Sequence, residues 1–335
     1  MARKKSKPVR VTRADVAERA GTSPTTVAYV LNDTPGVKIR EETRAKVLDA
    51  AKALGYTPSF TARSMKRGRT ELIGLLLPSL DSQFHPFYAQ MLHGVFEAAA
   101  ETNYHFLLLT QEREEKYRHC LRQNYLDGVI VVQSADEPRH LKLVLEHGLP
   151  VVSLNNVQPV SVPQITMDYE GAMEAAIAAH LERKARKILF VHGTWSNQPI
   201  ARYLQVFNEH KQQRRRPKVT FAELGIDRYQ LSPGQIADLL SDDCDGLIID
   251  GYELARDITH HADYREQPER AMVVFSETAH ATPLGENVTI LQSQPEQTGR
   301  LAWKQLTAQL EGKKTRKSIY QYPFQTTPNP TNEDD

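Results

Sequence analysis

The sequence predicts a small all-helical head followed by a two-lobed, doubly wound α/β body, and three observations predict it. Residues 11–32, VTRADVAERAGTSPTTVAYVLN, read as two short helices around a tight turn. From residue 72 onward, short apolar runs alternate with amphipathic stretches, the pattern of a parallel sheet with crossover helices. Charge divides the same way: residues 1–69 hold 16 Lys+Arg against 6 Asp+Glu, a net of +10, and the remainder carries −9, although the whole chain is only +1. A basic head on an acidic body suits a head that meets phosphate and a body that avoids it. With 335 residues and 40% hydrophobic content, the chain is long enough for two or three domains and a substantial core.

Taken in order, residues 1–10 are a basic arm expected to stay disordered until it touches a polyanion. Thr12 is a plausible N-cap for the first helix, with Asp15 three residues on as a weak capping box. Val16, Ala17 and Ala20 supply one small apolar face, and Gly21 supplies the left-handed stop. Ser23-Pro24 restarts a helix with a capping hydroxyl and an imino residue at its first position. Val27, Val30 and Leu31 pack back on the first helix, which leaves Pro24, Thr25, Tyr29 and Asn32 at or near the outer face. Any two-helix corner has this pattern; the basic charge around it tips the reading toward DNA. NDTPGVKI then reads as a turn, and a third helix runs from about 40 to 54, with Val47, Leu48, Ala51 and Leu54 at helical spacing and Gly55 as its stop.

Pro58 breaks the chain, and the basic stretch SFTARSMKRGRT follows, with Ala62 and Met65 at i, i+3. It is too short for a stable helix alone and would order against DNA or a second copy. Nine strands are expected in the body: LIGLLLP (72–78), HFLLLT (105–110), GVIVVQ (128–133), PVVSLN (150–155), KILFVHG (187–193), VTFAELG (219–225), GLIID (246–250), MVVFS (272–276) and VTIL (288–291). Helical stretches at 88–102, 171–183 and 297–311 lie among them. LDGVIVV at 126–132 and CDGLIID at 244–250 share an Asp-Gly leading into an apolar strand, an echo that suggests two similar halves. Two such lobes make a cleft at their strand ends, where small ligands bind.

Several classes are set aside. No apolar run approaches the roughly 18 residues of a membrane span, and the basic N-terminus lacks the apolar stretch of a signal peptide. This points away from an exported binding protein and toward a cytoplasmic chain. Cys120 and Cys244 lack metal-ligand spacing and are expected as unpaired thiols. Gly-x-Ser-x-Gly and Walker-type loops are absent, so no catalytic residue and no cofactor are expected. His260-His261 reads as a helix-surface pair, and no metal site is expected.

The order of these parts resembles the LacI/GalR family of bacterial transcription regulators over nearly the whole chain. The head carries the resemblance through Asp15-Val16-Ala17, Ala20-Gly21, Ser23, Thr26-Val27, Val30-Leu31-Asn32, Val37, Thr43-Arg44, Val47, Ala51, Leu54-Gly55-Tyr56, Pro58 and Ala62-Arg63-Ser64. The body carries it through Ile73-Gly74, Pro86-Phe87-Tyr88, Leu126-Asp127-Gly128, Asp168-Tyr169-Glu170-Gly171-Ala172, His180-Leu181, Gln294-Pro295 and Gly299. The resemblance implies a homodimer that places paired heads on a pseudo-palindromic double-stranded DNA operator, with repression the expected sense. It implies a hinge helix that folds on DNA, and a periplasmic-binding-protein-like body answering a small-molecule effector, a sugar or related metabolite. The expected divisions are head 1–56, hinge 57–70 and body 71–328, followed by a disordered tail 329–335. Within the body the first lobe takes about 71–168 plus 292–320, and the second about 169–291 plus 321–328.

On this basis Pro24, Thr25, Tyr29 and Asn32 would read bases, and Thr12, Ser23, Thr26, Arg40 and Arg44 would hold phosphate. Ala62, Arg63 and Met65 would enter the minor groove, Met65 as an apolar wedge. The effector set is Phe87, Tyr88, Trp195, Arg202, Tyr252 and Gln294. Departures from the family pattern are informative. Thr22 and Ala28 stand where Val and Ser are usual, and Tyr29 replaces an Arg, so the usual base preference is not carried over. In the cleft, Arg202 falls one position off the family's Arg, with Tyr203 in register, and Tyr252 aligns with the usual Asp, two residues after Asp250. A second reading therefore keeps the regulator and gives it a degenerate cleft that answers a protein partner or no ligand.

Overall fold

A computed structural model describes residues 11–32, 34, 36–56, 68–132, 138–155, 157–194, 198–212, 219–227, 231–241, 243–266, 270–277, 284–313, 315 and 318–327. The chain divides between Thr70 and Glu71 into two compact units.

The first unit is three helices: α1 (Arg13–Arg19), α2 (Pro24–Leu31) and α3 (Glu41–Leu54). Local chemistry sets each boundary. The Thr12 side chain accepts from the Asp15 N–H while the Asp15 carboxylate accepts from the Thr12 N–H at 2.7 Å, so both halves of the capping box are made. Those bonds hold the Asp15 carboxyl below its ordinary range, the backbone bond first. Gly21 takes φ +62°, where a Cβ would be strained, and α1 ends there. Ser23 Oγ accepts the Thr26 N–H at 3.1 Å, and Pro24 occupies the first position of α2. Val16, Ala17, Ala20, Val27, Val30, Val47, Ala50 and Ala51 form the core. Leu48, grouped with that core by spacing, is 48% exposed. The inward stripe of α3 is 47, 50, 51 and 54, and residue 48 lies about 100° away around the helix.

The second unit contains two parallel-dominated sheets. In chain order its elements are β1 (Leu72–Leu77), α4 (Pro86–Ala99), β2 (His105–Thr110), α5 (Glu114–Arg122), β3 (Gly128–Val132), α6 (Arg139–Leu145), β4 (Val151–Leu154) and β5 (Gln164–Met167). The second half follows: α7 (Tyr169–Glu182), β6 (Lys187–Gly193), α8 (Gln198–Gln212), β7 (Thr220–Ile226), α9 (Pro233–Ser241), β8 (Gly246–Asp250), α10 (Tyr252–His260), α11 (Ala262–Arg265), β9 (Ala271–Ser276) and β10 (Val288–Gln292). The chain then adds α12 (Pro295–Leu310), β11 (Ile319–Tyr322) and β12 (Gln325–Thr327). One sheet has the order β11-β5-β4-β3-β1-β2 and the other β12-β10-β9-β8-β6-β7; β12 alone is antiparallel. The chain crosses between lobes after β5, after β10 and between β11 and β12, so β10 belongs to the second lobe and α12 packs in the first.

All nine expected strands form. Three others, β5, β11 and β12, carry three or four residues each with Gln and Thr interleaved, and no apolar run announces them. The long helices begin two residues earlier than their apolar periodicity, because Pro86 and Pro295 serve as first residues and Asp168 caps α7 by accepting the Gly171 N–H at 2.9 Å.

The sequence echo has a structural cause. Asp127 accepts the Glu71 N–H at 2.9 Å, and Asp245 accepts the N–H groups of Arg186 and Lys187 at 2.9 and 2.8 Å. Each Asp thereby ties the start of its own strand to the start of the neighbouring one. Behind the second of these, the His180 ring lies over Gly246, where a Cβ would come within 2.8 Å of Nδ1. His180 Nε2 bonds the Leu247 carbonyl at 2.9 Å, while buried Nδ1 has no hydrogen-bond partner among the described residues. Burial pushes the imidazole down to about 4. Its neutral form belongs to the folded state, so this stability is complete above the unfolded value near 6.5 and is lost as pH falls toward 4. We expect up to about 3 kcal/mol to go over that window. His180→Gln, which keeps a donor and cannot charge, should flatten this limb in urea titrations run between pH 4 and 7.

Candidate nucleic-acid interface and interlobe cleft

In the head, α2 presents Pro24 and Thr25 exposed at its start, with Tyr29 half-buried further along. Ser23, Thr12 and Arg40 are exposed, and Thr26 and Arg44 are half-buried. Several of these groups already have local work. Ser23 Oγ and Thr26 Oγ1 lie 2.9 Å apart, and the Thr12 hydroxyl donates to Asp15 at 2.9 Å. Asn32 closes α2, its side-chain N–H donating to the Ala28 carbonyl at 2.7 Å. A hydroxyl used in this way keeps a lone pair for a water or phosphate contact, and the first turns of α2 and α3 point N–H groups outward with the positive end of the helix dipole. The head thus offers exposed small residues, one phenol and the Arg40 and Arg44 guanidinium groups. Ala62, Arg63 and Met65 lie outside the described residues.

In the body, the C-terminal ends of both parallel sheets converge on one cleft, the position where open α/β sheets bind ligands. From the first lobe come His85, Phe87 and Tyr88 at the start of α4, and Asn155 after β4. From the second come Tyr169 opening α7, Asp250 ending β8 and Glu277 following β9. His85 Nδ1 and Glu277 Oε2 lie 3.5 Å apart. The Tyr88 ring meets His85 edge-on at 5.7 Å and Phe87 at 5.5 Å. Burial pushes the Tyr88 phenol up to about 12, and the Glu277 charge adds to it. Tyr169 is raised well above its ordinary value by burial first, then by Glu277, Tyr88 and Asp250, and its hydroxyl donates to Asn155 Oδ1 at 3.0 Å. Crowding by protein atoms pushes the Glu277 carboxyl up to about 7, and burial pushes His85 down. Half of the Glu277 side chain remains open to solvent, which keeps the effect on stability small. Asn155 holds φ +80°, an uncommon conformation for a side-chain-bearing residue, at a strand end facing the cleft.

The expected effector residues are not all brought together. Phe87 is 6% exposed, and only Tyr88 of that pair keeps open surface. Arg202 donates to Glu170 at 2.6 Å on the neighbouring helix. Tyr203, the residue in register, is buried and stacks flat on Phe275 at 4.3 Å, with Tyr169 edge-on to it and Phe324 close by. Tyr252 is 5% exposed and packs in the second lobe's core. Gln294 donates to the Pro323 carbonyl at 2.8 Å and stitches two interlobe crossings. Trp195 lies outside the described residues. His85, Tyr169, Asn155 and Glu277 were missed by sequence reasoning; a signal existed for Glu277, which directly follows the MVVFS run at the ligand-facing end of a parallel strand.

Among the described residues, His93, Glu97 and Glu296 bring ligand atoms within 4.8 Å of one another. The Arg300 guanidinium donates to both carboxylates, at 2.7 Å to Glu296, so both are already engaged in an ion-pair network. His261 caps α11, and His260 bonds the Arg256 carbonyl at 2.8 Å. No helix among the described residues is long and apolar enough to cross a membrane.

Residues 12–59 match the family described as "Bacterial regulatory proteins, lacI family", and residues 70–213 match "Periplasmic binding proteins and sugar binding domain of LacI family". The chain is 38% identical over 159 residues to the HTH-type transcriptional regulator RegA of Clostridium saccharobutylicum, covering 46% of each protein. It is 30% identical over 189 residues to catabolite control protein A of Priestia megaterium, covering 55% of each. The chain therefore spans about half the length of the curated relatives it matches. The lac repressor dimer bound to operator and the anti-inducer ONPF shares its fold with a TM-score of 0.77 at 17% identity, over 96% of this chain and 98% of that one. A complex of the transcriptional regulator CelR with cellobiose superposes with a TM-score of 0.57 at 22% identity, over 95% and 99% of the two chains. The two family matches fall in the order the fold requires, head before two-lobed body, and the chain belongs to the LacI family of bacterial regulatory proteins.

Proposed function

We propose that the chain is a sequence-specific DNA-binding transcriptional regulator, acting as a dimer on a pseudo-palindromic operator, with repression its expected sense. The observation that carries this reading is a capped helix-turn-helix whose second helix begins with exposed Pro24 and Thr25 and carries Tyr29 further along, in a head that also holds Arg40 and Arg44. Each head would place α2 in a major groove, with Thr12, Ser23, Thr26, Arg40 and Arg44 at phosphate and residues 57–70 ordering between them. A homodimer is supported by the first lobe's edge strand. β2 leaves one side of its backbone without a strand partner among the described residues, beside Phe96 and Leu108, which are 45% and 38% exposed, and Phe96 meets Phe106 at 5.1 Å. An operator partner places the protein in the cytoplasm. The relatives that the chain resembles are named as regulators, which supports reading it as a binding protein. The test is fluorescence anisotropy on DNA from upstream of the protein's own gene, against scrambled DNA, across salt. Saturable binding that exceeds the scrambled control supports the proposal; a steep salt slope with no preference reduces the head to a basic patch.

We further propose that the cleft takes a small-molecule effector, a sugar or related metabolite, which shifts the two lobes and with them the hinge segments. Coupling of this kind is worth about 1–3 kcal/mol, or 5- to 150-fold in operator affinity. One observation favours a second reading, a cleft that has lost its ligand: Tyr203 is spent on Phe275 and Arg202 on Glu170. Arg202→Ala separates the two. If the effector is anchored there, the concentration needed to change operator affinity rises at least about tenfold. The melting temperature should hold within about 2 °C, because the Glu170 pair is nearly 40% exposed. An unchanged titration favours the second reading.

A further inference from the structure

We propose that His85 and Glu277 form a latch that holds the two lobes closed over the cleft. His85 precedes α4 in the first lobe and Glu277 follows β9 in the second, and their side chains meet at 3.5 Å across the cleft. Both ends are fixed to the framework. The His85 N–H donates to the Ser82 carbonyl at 3.1 Å, and its own carbonyl accepts the Ala89 N–H at 3.0 Å in the first turn of α4. Ser293 donates its hydroxyl to the Glu277 carbonyl at 3.3 Å and its N–H to the Ser276 carbonyl at 2.8 Å. Neither residue hangs on a free strand end, so a rigid rotation of the lobes must part them.

The crossings are stitched separately. Asp168 donates its N–H to the Tyr322 carbonyl at 2.7 Å, and Gln294 reaches Pro323. Tyr169, Tyr203, Phe275 and Phe324 pack around the same region. The hinge therefore stays intact when the latch opens, which gives two discrete states of one body. The Tyr88 and Tyr169 phenols lie close enough to Glu277 for its charge to disfavour their ionisation, which places the pair at the aromatic floor of the cleft. Half of each latch side chain is exposed, and a pair this wet changes a closed-to-open ratio by no more than about fivefold. That is the scale of a bias and not of a lock, and a ligand bridging the lobes would act on the same equilibrium.

The latch rests on the reading that this cleft is the regulatory site, but its test uses neither DNA nor effector. Fluorophores attached through unnatural amino acids at exposed Glu146 and Glu253, one on each lobe of the full chain, report the interlobe distance by single-molecule energy transfer at pH 8. His85→Glu sets two carboxylates against each other and should raise the open population about fivefold; Glu277→Gln should raise it less, about twofold. The exchange His85→Glu with Glu277→His should return the distribution to that of the unsubstituted protein. An unchanged distribution in His85→Glu, or an exchange that fails to restore closure, overturns the latch. Either result leaves operator binding to be judged by its own assay.

Discussion

Gly299→Ala should destabilise the body by about 3 kcal/mol, lowering its melting temperature by roughly 6–12 °C. α4 and α12 cross backbone to backbone. A Cβ on Gly299 would lie 2.0 Å from the Met91 carbonyl oxygen, and one on Gly94 would lie 2.0 Å from the Glu296 carbonyl oxygen. The obstacle is main chain on both sides, so no rotamer change relieves it and the helices must separate. Separation loosens Met91, Val95, Ala302, Trp303 and Leu306, all buried in the core between the helices and the first sheet. Gly234→Ala is the control. It sits in α9 with nothing within 4 Å of the added carbon, and there the gain in helix propensity should stabilise by about 0.4–1 kcal/mol. Calorimetry on the two variants reads the contrast directly; equal small effects would mean that the crossing is looser than the structure shows.

Tyr29→Ala should lower affinity for the specific operator by about 10- to 100-fold while leaving binding to random DNA within about twofold. Tyr29 follows Pro24 by five residues on α2 and is half-buried, and its backbone carbonyl accepts the Thr34 N–H at 3.1 Å at the end of the helix. The ring can stack on a base or give one hydrogen bond, neither of which random phosphate requires. Arg44→Ala should behave differently, weakening both DNAs together and reducing the salt slope by about one. Equal losses on both DNAs in the Tyr29 variant would remove it from base reading.

How far these features are legible in the sequence depends on how local their causes are. Both boundaries of α1 and the start of α2 follow from residues within three positions: Thr12 with Asp15, Gly21, and Ser23 with Pro24. The central strands are legible because, buried on both faces, they must be almost wholly apolar, as GVIVV and AMVVFS are, with Ser276 alone breaking the run at the end of the second. β5, β11 and β12 are short edge or near-edge pieces whose pairing is decided by distant chain, and nothing in QITM or QTT demands a strand. The cleft is the least legible part. Its residues come from separate strand ends, so His85 and Glu277 meet only in three dimensions. Helix phase was available for one correction: Ile200, Tyr203, Val206 and Phe207 form a single apolar stripe on α8, which turns Tyr203 inward and leaves Arg202 on the side that meets Glu170.

Two copies of this head are expected to read a two-fold symmetric DNA sequence. Selection from a random DNA pool by the full-length protein tests it with no operator chosen in advance. Two heads reading symmetric half-sites should enrich a pseudo-palindrome whose half-sites are related by two-fold symmetry, with centres about one helical turn apart. Enrichment of a single asymmetric site, or none above a pool washed at the same salt, would contradict it.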